Sequence, residues 1–106
     1  MELKDCFKED FTSWLSSSNH PKIKPYITHQ SKLNIIVEDS LQEILDILLI
    51  HPEADYFWYG YPEHGGKLSY TVPSSRPQPV PGDALRVDGD KIKIFLRDIK
   101  IEKLLQ

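Results

Sequence analysis

The chain has 106 residues, 40% hydrophobic and 27% charged, with a formal charge of −3. Those values suit one domain with a real core, spanning residues 1–106, and argue against a disordered chain, which needs far less apolar content or far more net charge. The acidic balance argues against a general nucleic-acid binder.

Cys6 has no second cysteine to pair with, so a short chain without a staple is expected to be cytoplasmic. The first eight residues carry charge from position 2 and have no apolar stretch, so they do not read as a signal peptide. The longest apolar run, residues 47–50, is far below the roughly 20 residues of a membrane span, and no membrane partner is expected.

Leu3, Phe7, Phe11, Trp14 and Leu15 recur at three- and four-residue steps with charged residues between them. This predicts an amphipathic helix that stops in Ser16, Ser17, Ser18 and Asn19, ahead of Pro21. Residues 19–31 read as an extended loop. Residues 33–37 are short, apolar and β-branched and predict an interior strand. Ser40 and Glu43 stand at capping-box spacing, so a helix is predicted from about Leu41 to His51, with Leu41, Ile44, Leu45 and Leu48 inward. Ile50 falls in the polar arc of that helix, so its last turn is either buried all round or touches a partner.

Residues 55–61 and 67–72 read as strands joined by the connection 62–66. Residues 73–83, rich in proline, form a stiff connector without PxxP spacing. Residues 84–88 and 91–97 read as a second hairpin turning at Gly89-Asp90. Residues 98–106 fit a last strand or a closing helix, and the spacing of Ile101, Leu104 and Leu105 favours the helix. The expected class is α+β: a mixed, mostly antiparallel sheet of about five strands, one βαβ crossover, and helices packed on one face.

A five-residue loop in the first hairpin sets Tyr59 opposite Ser69 and Phe57 opposite Thr71. That register places Phe57, Tyr59 and Tyr61 on the polar side of the sheet, where the second hairpin adds Phe95 and a basic row of Arg86, Lys91, Lys93 and Arg97. A four-residue loop exchanges the two sets and exposes Tyr56 and Trp58 instead. Exposed aromatic patches mark interaction sites, and tyrosine and arginine are enriched at interface hot spots. Cover by the first helix or the proline-rich connector is the competing reading.

Catalytic signals are thin. His51, Glu53, Asp55 and His64 could converge near one end of the sheet, but no HExxH motif and no cysteine pair accompanies them. Cys6 lies beside Asp5 on a helical core face and reads as a small buried thiol. No cofactor, metal site or catalytic residue is assigned, and an enzyme is the less favoured class.

The sequence therefore predicts a small non-catalytic protein-binding domain of regulatory, inhibitor or accessory type. Its partner is another protein or a second copy, met through Phe57, Tyr59, Tyr61, Phe95, Arg86 and Lys93. The alternatives are single-stranded nucleic acid stacked on the same face and a small metal-dependent hydrolase or nuclease built on the histidines.

Overall fold

The structure, a computed structural model, describes residues 2–18, 20, 30–60, 67–73 and 84–105, with the side chains of 30, 31 and 102–105 left aside. After a 3-10 turn at Leu3–Cys6 the described elements are α1 (Phe11–Ser17), α2 (Gln30–Ile50), β1 (Tyr56–Tyr59), β2 (Leu68–Thr71), β3 (Leu85–Arg86) and α3 (Gly89–Leu105). The three strands form one antiparallel sheet in the order β2-β1-β3. The class is α+β as expected. The sheet of about five strands, its mixed character and the βαβ crossover are not present among the described residues, and three local decisions explain the difference.

The first concerns residues 33–37, which belong to α2 and not to a strand. Leu33, Ile36, Ser40, Ile44 and Leu48 are buried at steps of three and four, while Ile35 is 60% exposed. That is a helical stripe, and its burial outweighs the mild strand preference of three consecutive β-branched residues. Ser40 is therefore no cap. It sits in mid-helix, fully buried.

The second concerns residues 91–97, which form the front of α3. The Asp88 carboxylate accepts from the backbone N–H of Asp90 at 3.2 Å and of Lys91 at 3.3 Å, which caps the helix where a hairpin turn was expected. Ile92 and Leu96 are buried, Phe95 and Ile99 half-buried, one face of a helix. The helix continues through Leu105.

The third lies at the N-terminus. The predicted helix over residues 3–15 is broken at Phe7, whose extended backbone (φ −114°, ψ 153°) bridges to Val87. Lys8 donates to the Arg86 carbonyl at 2.9 Å, and the Asp88 N–H donates to the Cys6 carbonyl at 2.7 Å. The segment thus satisfies the free edge of β3, as an exposed strand edge requires. Asp10 then restarts the helix by accepting from the Ser13 N–H at 2.9 Å, a bond that lowers the Asp10 pKa. The serines close α1: Ser18 Oγ donates to the Leu15 carbonyl at 2.6 Å and accepts from the His20 N–H at 3.2 Å.

The core lies between the inner face of the sheet and the helices. Phe57 and Leu85, paired across β1 and β3, are fully buried, with Leu15, Ile44 and Leu48. An aromatic series runs through the N-terminal part: Phe7 to Phe11 at 5.6 Å, Phe11 to Trp14 at 5.5 Å, and Trp14 stacked on Tyr59 at 5.8 Å between centroids. Phe57→Ala should lower unfolding stability by about 3–5 kcal/mol in urea titration, because a ring removed from a closed core leaves a cavity. Lys93→Ala, at an exposed helix position, should change it by less than ~0.5 kcal/mol.

Candidate functional site

The residues assigned to a partner surface from sequence are not gathered on one face. Phe57 is 0% and Tyr59 6% exposed, so both belong to the core. The cause is register. Phe57 pairs with Tyr70 and Tyr59 with Leu68, one residue away from the expected alignment, so the inward and outward rows change places. This is the exchange foreseen for the shorter loop. Tyr56 and Trp58 face outward and are half-buried. Tyr61 and the connection 62–66 lie outside the described residues, as do residues 74–83 of the connector.

Arg86 is exposed but occupied. Its Nε and its backbone N–H both meet the Glu9 carboxylate, the latter at 2.9 Å, which pins the N-terminal segment to β3 and raises the guanidinium pKa. Phe95 and Lys93 lie on α3, Phe95 half-buried and Lys93 exposed. Phe95 lines a cleft of about 660 Å³ with Leu3, Val37, Leu41 and Leu45, rimmed by Glu2, Lys4, Glu38 and Gln42.

Tyr59 is the buried polar side chain with the clearest role, and it is structural. Its hydroxyl donates to Ser40 Oγ at 3.2 Å, tying β1 to the middle of α2. Burial pushes its pKa up to about 12; the bond to Ser40 works against that rise and the Glu43 carboxylate adds to it. Burial, followed by the charges of Asp5 and Asp88, also raises the Cys6 pKa, and its Sγ donates to the Glu2 carbonyl at 3.6 Å. A thiol held protonated and enclosed is a poor nucleophile.

The histidines do not converge on carboxylates in the described residues. His51 Nδ1 is 3.9 Å from the Glu53 carboxylate, but its ring stacks on Tyr70 at 5.2 Å. Asp55 accepts from Thr71 Oγ1 at 2.7 Å. His20 packs edge-on against Tyr59 at 4.8 Å. Among the described residues no three His, Cys, Asp or Glu side chains come together in a group that could hold a metal ion. His29 and His64 lie outside them. No described helix is long and apolar enough to cross a membrane.

Of the large apolar side chains exposed among the described residues, Tyr70 lies on β2 and the rest are aliphatic and lie on the two long helices, with Ile50, 73% exposed, at the end of α2. On α3, Ile94 is 41% and Ile101 48% exposed, seven residues apart and so on one line of the helix. Lys93, Arg97 and Lys100 lie to one side of that line and Asp98 to the other, and none of the three cations forms an ion pair with a described residue. Pro52, Leu96 and Ile101 give an apolar floor, and Lys93, Arg97 and Lys100 a cationic rim, to a shallow groove of about 340 Å³. On α2, Ile35 and Leu49 (60% and 37% exposed) share a line with Gln42, beside Glu38, Asp39 and Asp46. Sequence reasoning assigned Ile35 to an interior strand and Ile94 to a strand of the second hairpin. The signal that finds them is an aliphatic pair outside each buried stripe, Ile94 and Ile101 seven residues apart on α3 and Ile35 and Leu49 fourteen apart on α2.

Tyr59 gives a pH signature. Its folded pKa lies above the unfolded value near 10, so its contribution is complete below pH ~10 and is lost as pH rises toward ~12. Unfolding stability should fall across that window by at most about 2 kcal/mol after allowance for solvent screening. Tyr59→Phe should flatten that part of the profile, read by denaturant titration at several alkaline pH values, with an ultraviolet tyrosinate titration showing one late-ionising phenol. No family model, curated protein or solved structure matches this chain, so the reading of its function rests on these surfaces.

Proposed function

We propose that this chain is a small protein-binding domain that receives an acidic, apolar-seamed partner on the outer face of α3. The observation that carries this reading is the pair Ile94 and Ile101, 41% and 48% exposed on one helical line, with Lys93, Arg97 and Lys100, which form no ion pair with a described residue, to one side of it. Two isoleucines held in water forgo the stabilisation of burial, and the groove floored by Leu96, Pro52 and Ile101 extends their apolar surface. The cations guide an acidic partner to the site and set its register.

The aromatic sheet face expected from sequence is replaced by this helical one. A regulatory, inhibitory or accessory role in the cytoplasm is compatible with a surface of this kind, and the single buried thiol suits a reducing compartment. The nucleic-acid alternative loses its stacking platform, because Phe57 and Tyr59 are enclosed. The hydrolase alternative has, in the described residues, His51 beside the one carboxylate of Glu53 and stacked on Tyr70, with no third ligand.

A photo-activatable phenylalanine analogue at position 101 should form a covalent adduct with protein in the cells that make the chain. The yield should exceed that from the same probe at the exposed position 4 by roughly tenfold, and Arg97→Glu with Lys100→Glu should abolish it. Gel shift and mass spectrometry read the result. No protein adduct at position 101 would overturn the proposal.

A further inference from the structure

The protein-binding reading leaves open what supplies an acidic surface with an aliphatic seam, and the chain itself carries one. Helix α2 (Gln30–Ile50) contains Glu38, Asp39, Glu43 and Asp46 against the single cation Lys32. Its outward line is Ile35, Gln42 and Leu49, a recurrence of seven residues. Helix α3 (Gly89–Leu105) reverses the balance, with Lys91, Lys93, Arg97, Lys100 and Lys103 against Asp90, Asp98 and Glu102. Its outward aliphatic pair, Ile94 and Ile101, is seven residues apart, half the separation of Ile35 and Leu49. The two charge sets are not spent on each other: no ion pair among the described residues joins α2 to α3.

We infer that the partner of the α3 face is a second copy of this chain, whose α2 stripe of Ile35, Gln42 and Leu49 packs against Ile94 and Ile101 while Asp39 and Asp46 meet the cations Lys93, Arg97 and Lys100. This rests on the protein-binding reading above. Seven residues rise about 10 Å and fourteen about 21 Å, so Ile94 and Ile101 fit between Ile35 and Leu49, one on either side of Gln42. Opposite charge beside the seam selects acidic against basic helix and disfavours basic against basic, where like charges would be forced together. The contact joins two different surfaces. It closes as a two-fold pair when each copy gives both stripes to the same neighbour.

Light scattering of the purified full chain across a concentration series, at about 0.05 M and 1 M salt, tests this. In low salt and at about 100 µM the mass should exceed the 12.3 kDa of one chain. Association should weaken at least roughly tenfold in high salt, where charges are screened over about 3 Å. Arg97→Glu with Lys100→Glu should raise the dissociation constant by about tenfold or more, and adding Asp39→Lys with Asp46→Lys should restore it to within about threefold of the parent. All four positions are exposed helix sites, and circular dichroism verifies the fold of each variant.

A single-chain mass at every concentration, or a swap that fails to restore association, would overturn self-pairing. The probe at position 101 separates the two ideas. Adducts with a different protein from a single-chain mass would leave the binding reading standing without self-pairing. No adduct at all would remove both.

Discussion

Strand β1 carries one inward row, Phe57 and Tyr59, and the positions of the other elements follow from what must pack on it. As the central strand it is held on both sides, so it cannot turn without breaking two ladders at once. Phe57 closes the sheet side of the core against Leu85. Tyr59 reaches further: its ring takes Trp14 of α1, and its hydroxyl meets Ser40 in the middle of α2. A buried phenol without a partner would be costly, so the α2 position that faces Tyr59 needs a small polar side chain. Serine fits where leucine would fill the space and leave the hydroxyl orphaned. One side chain thereby fixes the helix's rotation about its axis, and that rotation sends Ile35 and Leu49 outward.

The surface is consequently divided by charge along the helices. α2 shows carboxylates and α3 cations, each beside a broken line of aliphatic residues. The sheet contributes less. Its outward aromatics are half-buried, and its arginine is held by Glu9. That ion pair has a positional task, because it joins residues far apart in sequence and keeps the Phe7 segment along the edge of β3. Its exposure limits how much stability it adds.

The sequence was most legible where one period dominated. Leu41, Ile44, Leu45 and Leu48 gave the second half of α2 and its end near Ile50, though not its start at Gln30, and the buried character of Cys6 followed from its neighbours. It was least legible where two periods overlapped. Residues 33–37 and 91–97 each contain isoleucines that alternate over a short window and also fit a step of three or four over a longer one. Only the longer window separates strand from helix. The Asp88-Gly89-Asp90 sequence offered both a turn and a helix cap, and the burial of Ile92 and Leu96 decided for the cap. The hairpin register had no local determinant, since a change of one residue in the connection reverses the parity of every aromatic in β1. The aromatic candidate surface inherited that reversal, while Lys93 kept its exposure because a helix position there is as open as a strand position.

Moving the rings inside changes what kind of binding this molecule can support. An exposed Phe-Tyr-Tyr row would have given large, rigid anchors at small entropic cost, the usual basis of tight recognition. Aliphatic seams flanked by flexible lysines bury less area per side chain, and each lysine loses rotamer freedom when it is ordered. The attractive part that remains is long-range and screened by salt. Such a surface favours fast encounter and ready release over long residence. The aromatic side chains hold α1, α2 and the sheet together, which leaves charge and spacing on the two long helices as the means by which the proposed partner would be chosen.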